Sequence, residues 1–288
     1  MSDFVKQNSS KCNFQTNDSW VILSPIEQSI KNKIESVGVP LKNWDISINY
    51  GIKTGFNDAF IISGDKRDEI LSACKSDLER KRTAEIIRPI LRGRDIKRYE
   101  YSFADLYLIN VHNGIKEKKI PRIDINDYPA VKKHLDNYWN SIEERADQGD
   151  TPYNLRNCAY MDEFDKPKIV WGNLNLSATY TMAPGGMMIN APATMIVPAK
   201  ESLLCILNSK LADYYIRNLG VTRNGGYFEY KPMFIEQLPI PKNLDESLFS
   251  TFAKSEVSHE QEINIIVYQL YGLTEEEIDF IEQKNKSY

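Results

Sequence analysis

The sequence predicts an α+β fold, with a mixed sheet in the middle of the chain, one helix ahead of it and a helical unit behind it. Three observations carry this. Short strand-like runs cluster between residues 46 and 198, some with alternating apolar positions. Helical spacing takes over from residue 199 to 219 and again after Pro241. Ser24-Pro25-Ile26-Glu27 supplies an N-cap serine, a proline at the first helical position and a glutamate at the third, a helix start ahead of the first strand. The expected division is an N-terminus and spacer helix over 1–42, a sheet-bearing domain over 43–242 and a helical unit over 243–288.

In chain order, residues 1–19 are polar, rich in Asn, Ser and Lys, and predict disorder. Ile26, Ile30, Ile34 and Val37 form the buried stripe of the first helix, which Gly38 and Pro40 stop. Ile46, Ile48 and Tyr50 alternate as a strand, Gly51 to Gly55 turns the chain, and Ala59–Ser63 predicts a second strand. Asp65–Cys74 is expected to be helical, and Arg88-Pro89 to interrupt the following helix before the basic turn Leu91–Arg94. Leu106–Val111 reads as a strand. Pro129 is expected to open a long helix reaching Gly149, with Val131, Leu135, Tyr138 and Ile142 on one face. Strands follow at Lys168–Gly172, Ala178–Met182, Met187–Asn190 and Thr194–Pro198. Ala199–Leu219 predicts one amphipathic helix buried through Leu203, Ile206, Leu207, Leu211 and Tyr214. Beyond Pro241 the chain is expected to be helical, with Gly272 and a Thr274–Glu277 capping box dividing the last two helices.

A chain of 288 residues can bury a sizeable core, and 42% hydrophobic with 26% charged residues is ordinary for a globular protein. No apolar run approaches the ~18 residues of a membrane span, and Met1–Phe14 has no apolar signal region. Cys12, Cys74, Cys158 and Cys205 are widely spaced and form no CxxC, which fits reduced thiols in a cytoplasmic protein. Residues 243–288 hold ten acidic residues and three lysines, a net of −7; removing that from the total of −4 leaves +3 for residues 1–242. Within the latter, Lys75–Arg98 carries nine basic and four acidic residues, which suits a polyanion or a solvated helix face.

The stretch Asn218–Lys242 combines a helix end at Gly220, a turn through Thr222, Arg223, Asn224, Gly225 and Gly226, an aromatic strand with Tyr227, Phe228 and Tyr230, and a closing Leu238-Pro239-Ile240-Pro241. Adjacent glycines let a backbone approach a ligand closely, arginine and asparagine can pair with base edges, and Lys231 suits a phosphate. An ordinary Gly-Gly hairpin fits the same residues. The three aromatics are either core or a surface for sugars and bases.

Leu203–Gly220, Thr222–Pro232 and Glu236–Pro241 resemble the end of a target-recognition domain. The resemblance extends to Gly51–Ile62, Ile86–Tyr99, Lys166–Trp171 and the tail Val267–Glu282. The family is that of the C-terminal specificity domains of type IIG restriction–modification enzymes and TaqI-like adenine-N6 DNA methyltransferases. It implies a domain that reads double-stranded DNA while a methyltransferase domain, of the same or a partner polypeptide, flips an adenine and methylates it. S-adenosylmethionine and Mg²⁺ then belong to the catalytic methyltransferase and nuclease domains, and no cofactor is expected in this chain. Such methyltransferases carry an Asn/Asp-Pro-Pro-aromatic motif; no Pro-Pro dipeptide occurs here, so no catalytic residue is assigned. Met1 is either a native start or a boundary within a longer enzyme.

On this reading the DNA-binding candidates are Lys53, Thr54 and Asn57; Arg92, Arg94 and Arg98; Asn173 and Asn175; and Arg223, Asn224 and Lys231. Two alternatives accompany it. Asp105 with Glu117 and Lys119 has the outline of a metal-dependent nuclease, a pattern that a polar loop after a strand explains better. The acidic C-terminal helices would suit a protein-interaction module. Lys53-Thr54-Gly55 and Ser72-x-x-Lys75 match serine β-lactamase motifs only in reversed order and without Ser-Asp-Asn. His112, His134 and His259 lack the neighbours a metal site needs, so no metal ligand is assigned.

Overall fold

The computed structural model describes residues 23–286 apart from 221, 242–243, 250–251 and 253–258; the expected disorder of 1–19 lies outside the described residues. Helix α1 (Pro25–Val37) begins at the expected capping box, with Ser24 and Glu27 bonded reciprocally. Ile30 and Ile34 are buried, but Val37 is 40% exposed because the helix ends there. Gly38 then enters β1 (Gly38–Pro40). Next come β2 (Ser47–Tyr50), α2 (Asn57–Phe60), β3 (Ile61–Ser63), α3 (Gly64–Ser72), α4 (Asp77–Ile86), β4 (Ile87–Leu91) and β5 (Leu106–Ile109). The strand expected over Ala59–Ser63 is therefore half helix. Arg88-Pro89 lies in a strand, not a helix: α4 has already ended, and at Pro89 β4 changes neighbours from β5 to β9, where a missing N–H costs least.

Pro129 opens α5 (Pro129–Asp136), followed by α6 (Trp139–Ile142) rather than one helix to Gly149. The chain is drawn in beyond α6 by Arg145, a buried guanidinium donating to the carbonyls of Thr54, Asp147, Pro152 and Asn154. Strands β6 (Lys168–Trp171), β7 (Leu174–Asn175), β8 (Tyr180–Ala183), β9 (Met188–Ile189) and β10 (Thr194–Val197) follow. The helix expected over 199–219 is two, α7 (Glu201–Leu207) and α8 (Lys210–Arg217). Between them the Asn208 side chain pairs with both the N–H and the C=O of Tyr180 at 2.9 Å, completing the edge of β8, while Ser209 caps α8. The aromatic strand shortens to β11 (Phe228–Glu229); α9 (Pro232–Ile235) and β12 (Pro239–Pro241) lead to α10 (Glu260–Leu270) and α11 (Glu275–Lys286). The Thr274–Glu277 capping box divides the last two helices as expected.

The central sheet has the order β2-β10-β6-β8, all antiparallel; a second, mixed sheet has the order β3-β5-β4-β9 with β4 and β9 parallel. The fold class is thus α+β with mixed sheets. Alternation along the central strands divides the core in two. Ile169, Trp171, Tyr180 and Ile196 face a cluster built with α1, α7, α8, α10 and α11; Val170, Ala183, Met195 and Val197 face one built with the second sheet and α5. In the tail, Ile263 is buried and Phe252, Ile266 and Leu270 are half-buried against the first cluster. Leu248 is 41% exposed, because it sits in a single 3₁₀ turn rather than on a helix face.

Candidate nucleic-acid interface

The register of the central sheet decides where its loops emerge. Tyr50, Thr194, Trp171 and Tyr180 lie side by side at one end. The chain leaves that end through 51–57, 172–179 and 190–193. Strands β4 and β9 finish there too, since the Asn190 N–H donates to the Leu91 carbonyl at 2.8 Å, so Arg92–Arg94 joins the same end. Gly93 and Gly172 pack against each other: a Cβ on Gly172 would sit 3.2 Å from the Gly93 oxygen. Strand β11 pairs with β7 and brings in the 222–231 turn. Five segments of the chain thereby form one loop-bearing end on a rigid sheet, an arrangement suited to recognition.

The candidate residues divide on inspection. Arg94, Asn224 and Lys53 are exposed, and neither Arg94 nor Lys53 has a carboxylate within ion-pair distance among the described residues. Lys53 borders an open cleft of about 400 Å³ with Arg156, Asn157 and Tyr160. Thr54 is a correction: it is 2% exposed, its hydroxyl donates to Asn57 at 2.6 Å and its carbonyl is held by Arg145, so it fixes the turn. Asn57 is exposed, but its oxygen is engaged by that hydroxyl. Arg92 is bound to Asp95 through Nε at 2.9 Å and Nη2 at 2.8 Å. Burial of Asp95 works to raise its carboxyl, but the bonds from Arg92 outweigh it and hold the group below the usual range. Arg98 is also a correction: it reaches the Asn208 carbonyl and pairs with Glu260 at 2.9 Å, so its guanidinium ties the loop before β5 to α10.

Asn173 accepts from Thr194 Oγ1 at 2.7 Å, and Asn175 donates to Gly172 at 2.6 Å, so both shape the loop they were expected to present. Arg223 and Lys231 share Glu229, at 3.1 and 2.6 Å. Of the aromatic trio, Phe228 and Tyr230 are core and only Tyr227, 41% exposed, reaches solvent. The basic strip does not act as one surface either: Arg88, Arg92 and Arg98 are each neutralised by a carboxylate.

Beneath the turn lies a group that sequence reading missed. Asp213 and Arg217 on α8 form a nearly dry ion pair at 3.2 Å, with side chains 7% and 2% exposed. The Tyr230 hydroxyl donates to Asp213 at 2.6 Å, the Arg217 guanidinium stacks near Phe228 and Tyr230, and it donates to the Leu176 carbonyl. Burial, reinforced by Asp213, pushes the Tyr230 phenol far above its ordinary range. One buried arginine thus holds both the 172–179 loop and β11. The i, i+4 spacing of Asp213 and Arg217 among Leu211, Ala212, Tyr214, Tyr215 and Ile216 was the available signal. Of the nuclease alternative, Asp105 directly precedes β5, whereas Glu117 comes eight residues after its end in a separate turn. Asp105 packs on Gly64 and Glu117 sits in an exposed 3₁₀ turn.

Fold and site define a scaffold domain that presents loops from one end of a central sheet. The model of the TaqI-like C-terminal specificity domain matches residues 88–240, and the chain belongs to that family. That match runs from β4 to β12 and contains most of the loop end. Among solved structures the chain is similar to the type IIL restriction–modification enzyme MmeI in complex with DNA (12% identity, TM-score 0.58), covering 86% of this chain and 36% of that one. It is also similar to the type IIG restriction endonuclease BpuSI (13% identity, TM-score 0.53), covering 90% of this chain and 32% of that one. At these identities the likeness is one of fold, and the chain spans about a third of either neighbour's length. No curated protein matches. Among the described residues no helix is long and apolar enough to cross a membrane.

Proposed function

We propose that the chain reads a specific site in double-stranded DNA for a restriction–modification enzyme. In this reading a methyltransferase domain, and a nuclease domain where one is present, act on the DNA that this domain positions. The methyltransferase domain flips an adenine and transfers the methyl group of S-adenosylmethionine to it, and Mg²⁺ serves the nuclease. The chain itself holds neither cofactor and works in the cytoplasm. Its spacer (1–42) and helical unit (243–288) flank the recognition body (43–242).

The observation that carries the reading is the specificity-domain match over residues 88–240, which contains most of the loop end. The chemistry of that end agrees: exposed cations for phosphates and guanine edges, and amides beside them. The test is selection from a randomised duplex pool with the purified chain. Enrichment of one short motif, with affinity falling steeply as salt rises, is the expected result. A pool that stays random at low salt would sink the proposal.

A further inference from the structure

The outward face of the β7–β11 ribbon presents two exposed leucines although the ribbon is firmly held. In the register Phe228 opposite Asn175 and Glu229 opposite Leu174, directly opposed residues share a face. Phe228 faces the core. The other face therefore carries Leu174, Leu176, Tyr227 and Glu229. Leu174 is 54% exposed and Leu176 51%. These leucines do not sit on a slack loop: Arg217 holds the Leu176 carbonyl, the Tyr230 N–H donates to Asn173 at 2.7 Å, and Asn175 closes the turn onto Gly172. Arg223 and Lys231 border the same face through Glu229.

We propose that Leu174 and Leu176 are specificity residues that contact thymine methyl groups in the major groove. This rests on the DNA-reading function above. The groove, about 12 Å wide, admits a two-stranded ribbon, and the thymine C5-methyl is the apolar mark on its floor. Charge complementarity selects DNA over a protein partner, because Arg223 and Lys231 outnumber the one glutamate they share and leave net positive charge beside the leucines for phosphates. The leucines contribute contact that does not depend on salt; Arg223 and Lys231 contribute contact that does.

The experiment uses the full chain and the motif selected from the random pool, with each thymine replaced in turn by deoxyuridine. Loss of one contacted methyl should weaken wild-type binding about fourfold, the equivalent of one buried methyl or methylene group. Leu174→Ala or Leu176→Ala should weaken binding to the thymine site with an unchanged salt slope, and should abolish the penalty for deoxyuridine at one position. Circular dichroism and melting of each variant establish that it is folded. If wild type selects a motif but no thymine position shows coupling to either leucine, this inference is wrong while the DNA-reading function stands. A 2-aminopurine signal showing that the leucines unstack a base step would also overturn it, in favour of a wedge. If wild type selects nothing, the function itself fails.

Discussion

In the C-terminal helices Glu277 meets Lys33 at 2.7 Å, Glu282 meets Lys210 and Glu260 meets Arg98. At the loop end of the central sheet Arg94 and Lys53 have no such carboxylate among the described residues, and Arg223 and Lys231 have one between them. Three of the tail's acidic residues, Glu260, Glu277 and Glu282, therefore act as inward-facing partners that fasten α10 and α11 to the body. The loop end keeps cations and leucines toward solvent over an ion pair that is itself buried. A charge count assigns the two regions to different partners; the geometry gives a firmer distinction, between charge satisfied inside the molecule and charge left available.

The largest expected effect strikes what holds the loop end. Arg217→Met leaves Asp213 buried without its guanidinium and releases the Leu176 carbonyl, and should cost about 3–5 kcal/mol in denaturant unfolding. Amide exchange over 172–178 should rise more than over α10. If instead α10 and α11 loosened first, the two regions would not be separately held.

A smaller effect should appear in the tail. Burial works to raise the Glu277 carboxyl, but bonds from Lys33, the Thr274 N–H and Ser29 hold it at about 2, against 4.5 for an unperturbed glutamate. A folded value below the unfolded one means the stabilisation is present above about 4.5 and is lost as pH falls toward 2. Up to about 3 kcal/mol is involved. Glu277→Gln should lower stability at pH 7 and flatten the profile between pH 4.5 and 2. It should leave DNA affinity unchanged; a loss of affinity equal to that of a loop-end variant would break the comparison.

Much of the scaffold was legible because its signals are local. The Ser24–Glu27 and Thr274–Glu277 boxes satisfy helix ends with residues three apart, and Lys168–Trp171 and Thr194–Val197 are runs of strand formers buried on both faces. The failures have distant partners. Asn208 breaks a helix because Tyr180 needs its amide, Thr54 is buried because Arg145 reaches it across 91 positions, and Arg98 is taken up by Glu260. Leu174 and Leu176 went unnoticed because their exposure depends on pairing with β11, some fifty residues on. The loop end as a region could be read from turn residues; which side chains remain free there could not.

The smallest effect concerns Arg223. It is solvent-exposed and paired with Glu229, and exposed pairs contribute little to folding, so Arg223→Ala should melt as wild type does. On DNA the same pairing matters more, because Arg223 must exchange a carboxylate for a phosphate or a base edge. As a phosphate contact, its loss should weaken cognate and scrambled duplexes alike and reduce the salt slope by about one unit. As a base contact, its loss should relax preference at one base pair of the selected motif. The shared position of Arg223 and Lys231 on one glutamate favours the phosphate role. In that case Glu229→Gln, which frees both cations, should tighten binding to scrambled DNA and narrow the preference for the cognate site. A salt series on the two duplexes with both variants separates these outcomes. Unchanged binding of Arg223→Ala on both would remove the turn from the DNA-facing surface and leave Arg94 and Lys53 as the available cations of the loop end.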